Sequence, residues 1–179
     1  ALRLIDQAYE KVLSEDPCAN KPPIGIMIEV PSAIYQARAL AERVEFLSVG
    51  SNDLTQYMLA VDRNNPRVAN RYDPFEPAVL GALVQIVEAA HQAKKPISIC
   101  GEMASDPLAI PLLLAMGFDA LSMNSFSIPR IKSVIRQINF QQAKKILVQI
   151  LAMDNALAIR KYLNEALSFN LTTLLPIAG

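Results

Sequence analysis

The chain has 179 residues, and 52% of them are hydrophobic, which suits one folded domain, or a large piece of one, and excludes a disordered chain. Its 17 basic and 17 acidic residues balance, so the composition favours neither nucleic acid nor an anionic membrane surface as a partner. Two cysteines are too few for a disulfide framework, so a reducing cytoplasm is the expected location.

An amphipathic helix is predicted at the start of the chain, where residues 1–16 read ALRLIDQAYEKVLSED. This pattern differs from that of a signal peptide, and no apolar run in the sequence has the length of a membrane span. Because the sequence begins directly in a helix, we expect it to be a fragment of a longer chain.

Short apolar runs rich in β-branched residues recur along the chain and predict buried strands at 24–30, 45–50, 96–100 and 119–123. Helical patterns separate these runs and continue after the last one, at 32–44, 77–95, 106–118 and 127–138 and in a helical tail at 139–170. Asp106 is expected to cap the helix at 106–118, with Pro107 in its first position.

The alternation of strands and helices predicts an α/β fold with a parallel sheet. Four strands are few for a doubly wound domain, and no G-x-G-x-x-G sequence follows the first strand, so a dinucleotide-binding fold has no support. Four strand–helix units are half of a (β/α)8 TIM barrel. The predicted architecture is therefore a half barrel with extra helices at its C-terminal end.

Polar or reactive residues follow each predicted strand, at the end where barrel enzymes carry their chemistry. These ends are Glu29, the segment 50–53, the segment 100–102 and the segment 122–125. Polar turns are common and explain part of this pattern. They do not explain a carboxylate at the very end of the apolar run IGIMIEV, so we treat these ends as a candidate site.

Two carboxylates, Glu29 and Asp53, follow neighbouring strands and could reach one cation. Mg²⁺ is commonly held by one or two carboxylates together with waters and substrate oxygens. The alternative is that these carboxylates only cap helices, since Asp53 precedes the helical sequence LTQYML. Spacing alone leaves both interpretations open.

A phosphate site is the second possibility at these strand ends. Asn52 and Asp53 lie at a turn that leads into a helix, where free backbone N–H groups attract phosphate. Arg63 follows about three helical turns later and could bind the same phosphate with two parallel hydrogen bonds. Alternatively, it is a surface arginine paired with Asp62 or Glu76.

Cys100 ends an apolar strand and precedes a glycine. It is either an inert buried thiol or, beside a cation site, a group that can give or take a proton. His91 lies late in the helix at 77–95, away from the strand ends, and is interpreted as a solvated or capping residue. A mechanism that needs a catalytic histidine must therefore find it outside this chain.

Four motifs, in this order and spacing, resemble the phosphoenolpyruvate (PEP)-binding barrel of Enzyme I of the bacterial phosphotransferase system. They are GIMIEVPSA, FLSVGSNDLTQYMLAVDRNN, ICGEMASDP and LSMNSFSIPRIK. The resemblance covers about residues 22–140, and VDRNNPRVANRYDP is especially similar to the nitrogen-related paralogue. It implies that residues 1–179 are the C-terminal portion of that barrel domain.

The resemblance implies a role for each matched residue. Glu29 and Asp53 are similar in position to the two Mg²⁺ ligands of the family. Asn52, with the backbone of Asn52 and Asp53, corresponds to part of the phosphate site, and Arg63 to its arginine clamp. Cys100 corresponds to the acid that protonates the enolate of pyruvate.

The resemblance also implies partners that lie outside the chain. The family's phosphorylated histidine is on a separate N-terminal domain, which passes the phosphoryl group to a small histidine-containing phosphocarrier protein. We therefore expect this chain alone to lack phosphotransfer activity, and we expect a homodimer, because the family's barrel dimerises and a half barrel leaves sheet edges open. Pyruvate phosphate dikinase and PEP synthase share the barrel and are alternatives, as is a non-catalytic dimerisation module.

Overall fold

The computed structural model describes residues 1–171 and contains one parallel sheet with the strand order β1-β2-β3-β4. The strands are β1 (Gly25–Ile28), β2 (Phe46–Gly50), β3 (Ile97–Cys100) and β4 (Ala120–Leu121). This open sheet, with helices between its strands, confirms the predicted α/β fold and fits the C-terminal half of a (β/α)8 barrel. Residues 172–179, which the domain prediction included, lie outside the described residues.

The helices alternate with the strands and then continue beyond them. They are α1 (Leu2–Glu15), α2 (Pro31–Tyr35), α3 (Ala37–Ala41), α4 (Ser51–Leu59), α5 (Pro77–Gln92), α6 (Ile110–Met116), α7 (Ile128–Gln137), α8 (Phe140–Leu151) and α9 (Ala156–Leu171), with short 3-10 turns at Ala69–Arg71 and Glu102–Ser105. Within the described chain, none of these helices combines the length and hydrophobicity that crossing a membrane requires.

The core lies between one face of the sheet and the helices. Leu47, Val49, Ile97 and Ile99 of the two central strands are at most 1% exposed. The residues between them, such as Ser98, point to the opposite face and are half-buried. Because successive side chains of a strand point to opposite faces, this alternation shows that, among the described residues, the helices cover one face of the sheet.

Two helix predictions were wrong in detail. The helix predicted at 32–44 is broken at Gln36, whose ψ of 4° interrupts the helical path between α2 and α3. Asp106 does not cap a helix that starts at Pro107. Its carboxylate accepts a hydrogen bond from the N–H of Leu108 (2.9 Å), which forms a turn, and α6 begins only at Ile110.

The two ends of the chain pack differently. In α8 the side chain of Asn139 caps the helix by accepting from the N–H of Gln142, and four apolar residues of α8 are buried (Ala143, Ile146, Leu147 and Ile150). Helix α9 adds Ile159 and Leu163 to the same core, both fully buried. By contrast, α1 buries no residue. The C-terminal helices are thus part of the fold, whereas α1 leaves its apolar stripe exposed.

Candidate functional site

The start of α4 is the centre of the site. Gly50 ends β2 and is also the N-cap of α4, so Ser51, Asn52 and Asp53 form the first turn of the helix. N–H groups in a first turn have no acceptor within the helix and can bind an anion. No side chain caps this helix, so the alternative that Asp53 serves as a cap is wrong.

Two hydrogen bonds join this turn to the end of the neighbouring strand. The buried hydroxyl of Ser51 donates to the carbonyl oxygen of Cys100 at 2.6 Å. The side-chain oxygen of Asn52 accepts from the N–H of Glu102 at 3.0 Å. The predicted half barrel implies that the ends of β2 and β3 are neighbours. In the structure these two bonds hold the ends together, with Asn52, Asp53 and Cys100 at one edge of the sheet.

Gly101 is required where these two strand ends meet. Its φ is +96°, a conformation that other residues rarely adopt. A Cβ there would also collide with the Ser51 hydroxyl and lie 2.8 Å from the side-chain oxygen of Asn52. The close packing leaves the neighbouring Cys100 half-buried, with a free thiol.

The carboxylate of Glu29 lies beside the same turn. Ile28 pairs with Val49, so Glu29 follows the strand next to Gly50. A Cβ at Gly50 would lie only 2.8 Å from Oε2 of Glu29, so the glycine makes room for this carboxylate. Within the described residues, the side chains of Glu29 and Asp53 form no hydrogen bond or ion pair with the protein.

This donor set fits Mg²⁺ better than a transition metal. The described residues contain no cluster of three or more His, Cys, Asp or Glu side chains that could hold a metal. Two carboxylates are enough for Mg²⁺, which takes its other oxygens from water and substrate. Glu29 and Asp53 lie beside one turn, and their side chains make no hydrogen bond or ion pair within the described residues, so they are the residues that could hold it.

Arg63 lies over the end of β3 rather than beside its sequence neighbours. Its Nη1 is 3.6 Å from Oε1 of Glu102. The predicted alternative, a pairing with Asp62 or Glu76, is therefore wrong, and Asp62 instead accepts from the N–H of Asn64. The Glu102 side chain is 78% exposed, so this pair adds little to stability and can open for a ligand.

Tyr72 belongs to the site and was missed at the sequence level. Its hydroxyl donates to the carbonyl oxygen of Asn52 at 3.3 Å. Burial raises the pKa of the Tyr72 phenol; the Thr55 hydroxyl opposes this shift, and the charges of Glu102, Arg63 and Asp53 also act on it. Tyr72 follows a loop without periodicity, so only the folded structure reveals this contact.

His91 lies at the opposite end of the sheet, as the sequence indicated. It is in the last turn of α5, and its Nε2 is 3.8 Å from Oδ2 of Asp119. The same oxygen of Asp119 accepts from the N–H of Ile97, at the beginning of β3. Because the strands are parallel, this end is remote from Cys100, and His91 is not part of the candidate site.

Comparison with known proteins shows which domain family the chain resembles. The model of a family described as "PEP-utilising enzyme, PEP-binding domain" matches residues 1–140. This range contains every residue of the candidate site and ends where the last two helices begin.

Several curated proteins are similar to the chain. A phosphoenolpyruvate-protein phosphotransferase of Haemophilus influenzae is 45% identical over 84% of the chain and 26% of its own length. A protein of Salmonella typhimurium named "Phosphoenolpyruvate-dependent phosphotransferase system" is 45% identical over 89% of the chain and 22% of its own length. A multiphosphoryl transfer protein of Escherichia coli is 49% identical over 69% of the chain and 15% of its own length. The chain thus spans about a quarter or less of these relatives.

Proposed function

We propose, since the chain belongs to the PEP-binding domain family of the PEP-utilising enzymes, that it supplies part of the PEP site of a phosphoenolpyruvate-protein phosphotransferase. The observation that carries this proposal is the junction between β2 and β3. There the first turn of α4, the carboxylates of Glu29 and Asp53, which have no hydrogen bond or ion pair within the described residues, and the thiol of Cys100 lie at one edge of the sheet. The names of the similar proteins favour a phosphotransferase over a dikinase or a synthase.

The residues present suit the two halves of the reaction. Asn52 and the free N–H groups of the first turn bind the phosphoryl group, and Arg63 leaves Glu102 to hold it from the other side. Mg²⁺ on Glu29 and Asp53 would offset the negative charge that develops on the phosphate and enolate oxygens. These residues therefore supply binding and orientation.

Proton transfer completes the reaction. When the phosphoryl group moves to a histidine, the P–O bond of PEP breaks and the enolate of pyruvate remains. The thiol of Cys100 gives its proton to the enolate carbon, which forms pyruvate, and the thiolate recovers a proton from solvent. Cys100 is half-buried at the site edge, which supports this role.

The accepting histidine and the next partner come from outside this chain. His91 faces Asp119 at the remote end of the sheet, so we assign no step to it. We propose that the histidine is on another domain of a longer cytoplasmic protein, that the phosphoryl group then passes to a histidine-containing phosphocarrier protein, and that the protein is the nitrogen-related paralogue. The exposed apolar stripe of α1 and the open sheet edge support assembly, and we propose a homodimer.

Calorimetric titration with PEP and Mg²⁺ tests the proposed site. We expect the chain to bind PEP in the presence of Mg²⁺ and Asp53→Ala to bind at least about tenfold more weakly, because it removes one metal ligand. Asp154→Ala is the matched control, since the Asp154 side chain hydrogen-bonds only to the neighbouring Asn155 within the described residues and lies far along the sequence from α4. This variant should bind like the wild type.

Each possible outcome decides the proposal. Equal affinity of Asp53→Ala and the wild type would contradict the metal role of Asp53. Absence of PEP binding by the wild-type chain would contradict a binding site formed by these residues alone. The same two variants in the full-length enzyme, assayed by pyruvate release, would then decide whether Asp53 acts in the complete site.

A further inference from the structure

A side-chain clamp joins α9 to the loop that precedes α5. Arg160 of α9 donates from Nε to Oδ2 of Asp73 and from Nη2 to Oδ1, both at 2.8 Å. Its guanidinium also lies 4.3 Å from the ring centroid of Phe75, which is fully buried. Two parallel charge-assisted hydrogen bonds on a buried aromatic ring fix a loop more firmly than an exposed ion pair does.

The clamped loop is also ordered internally. Oδ1 of Asp73 accepts from the N–H of Phe75 at 2.9 Å, so one carboxylate holds both its own turn and the helix opposite. The hydrogen bonds that Arg160 donates to Asp73 raise the pKa of Arg160 above its ordinary value, so the guanidinium stays charged. The Asp73 side chain is 24% exposed, which limits competition from water.

The residue directly before Asp73 reaches the site. The hydroxyl of Tyr72 donates to the carbonyl oxygen of Asn52, whose side chain is held at the same time by the N–H of Glu102. A continuous series of contacts therefore runs from α9 through Asp73 and Tyr72 to the first turn of α4.

We propose that Arg160 is a positioning residue: by fixing residues 72–75, it holds the Tyr72 hydroxyl on Asn52 and thereby sets the first turn of α4 for the phosphoryl group. The identity of the ligand rests on the proposed function, whereas the positioning can be measured without ligand. Arg160 lies beyond the residues 1–140 matched by the family model, so a helix outside that match takes part in building the site.

Nuclear magnetic resonance of the chain with ¹³Cζ-labelled tyrosine tests the positioning directly. The sequence has five tyrosines, and Tyr72→Phe identifies the signal of Tyr72 by its loss. Arg160→Met should move this signal toward that of a solvent-exposed tyrosine and leave the others in place. Arg160→Lys keeps the charge without the double hydrogen bond and should move the same signal by a smaller amount.

Lys161→Met is the matched control, because Lys161 is the next residue of α9 and, among the described residues, its side chain makes only an exposed ion pair with Glu165, at 4.0 Å. It should leave the Tyr72 signal unchanged. Calorimetry then adds a functional measurement: Arg160→Met and Tyr72→Phe should each bind PEP with Mg²⁺ about tenfold more weakly, as expected for a misplaced first turn.

The outcomes separate this proposal from the proposed function. An unmoved Tyr72 signal in both Arg160 variants would overturn the positioning role. A moved signal with unchanged PEP affinity would overturn it too, because the clamp would then serve stability alone. If the wild type does not bind PEP, the proposed function of the isolated chain fails, and the Tyr72 signal still decides whether Arg160 positions this residue.

Discussion

The two ends of the sheet use their carboxylates differently. At the N-terminal end, Asp119 accepts from the N–H of Ile97 at 2.8 Å, and Glu45 accepts from the N–H of Ile24 at 2.9 Å. At the C-terminal end, the Glu29 and Asp53 side chains have no hydrogen bond or ion pair within the described residues. One pair of carboxylates completes the backbone hydrogen bonding of the strands, and the other is the pair that we propose binds Mg²⁺.

Uncharged side chains, by contrast, make hydrogen bonds at the site end of the sheet. At the C-terminal end, the strand ends are held by the hydroxyl of Ser51 and the amide of Asn52, which carry no charge. In the proposed site, this division fixes the geometry of the strand ends without using the charges that a bound cation would need. It also explains why carboxylates at the two ends of the sheet have different roles: one pair accepts backbone hydrogen bonds, and the other pair is proposed to bind a cation.

The largest expected effect is at Gly101, which follows β3 where the end of this strand packs against the start of α4. Gly101→Ala should lower the free energy of unfolding by about 2 to 3 kcal/mol, because it combines a left-handed φ with a collision against Ser51 and Asn52. It should also abolish PEP binding, since the first turn of α4 must move. Urea unfolding and calorimetry measure the two effects.

Gly81→Ala provides the control for this prediction. Gly81 lies within α5, and a Cβ there meets nothing within 4 Å. Alanine favours the helix, so this variant should be more stable than the wild type by about 0.5 to 1 kcal/mol. A stable, PEP-binding Gly101→Ala protein would show that the junction does not constrain the site.

A smaller effect is expected from removing a structural carboxylate at the other end. Asp119→Ala should lower the free energy of unfolding by about 1 to 2 kcal/mol, because the N–H of Ile97 loses its acceptor. PEP affinity should not change. Asp53→Ala should give the reverse result, with stability within about 0.5 kcal/mol of the wild type and affinity lost.

These two variants test whether the carboxylates at the two ends of the sheet differ in function. If Asp119→Ala weakened PEP binding as much as Asp53→Ala, the two ends would not differ in function. Unchanged stability of Asp119→Ala would contradict the structural role of its carboxylate. Unfolding by urea, followed by circular dichroism, and calorimetry on the same samples supply both measurements.

The fold could be predicted because its signals are local. Strands such as 96–100 are short apolar runs, and their alternation with helices allows few arrangements other than a parallel sheet. The errors lie where a local signal has two meanings. An aspartate before a proline, such as Asp106, is typical both of a helix cap and of a turn. The helix break at Gln36 involves neither glycine nor proline, so the sequence gives no signal for it.

The site was predictable only in part, for a related reason. Residues at the end of a strand or shortly after it, such as Glu29, Asp53 and Cys100, are placed at one edge by the topology alone. Contacts that depend on the path of the loop at 60–76 were not predictable, because no periodicity governs it. Pairing of Arg63 with Glu102 and the hydrogen bond from Tyr72 to Asn52 both arise from that path.

The smallest expected effect concerns the pH dependence of stability through Tyr72. Tyr72→Phe removes the hydrogen bond to the carbonyl oxygen of Asn52 and should lower the free energy of unfolding by about 1 kcal/mol at pH 8. Burial raises the pKa of Tyr72 above its ordinary value of about 10, so above this pH the folded state binds the phenol proton more tightly than the unfolded state does. The free energy of unfolding of the wild type must then fall as the pH rises through this range. The difference in this free energy between the wild type and Tyr72→Phe should therefore become smaller.

Urea unfolding at pH 8, 9, 10 and 11 measures this narrowing. Tyr57→Phe is the control, because Tyr57 is 55% exposed on α4 and its hydroxyl makes no hydrogen bond within the described residues, so this variant should be as stable as the wild type at pH 8. If the difference in unfolding free energy between the wild type and Tyr72→Phe became larger above pH 10, the phenol would ionise more easily in the folded protein than in the unfolded one. The positive charge of Arg63 would then outweigh burial at the Tyr72 hydroxyl, and the site end of the sheet would favour anions at this hydroxyl as well as at the first turn of α4.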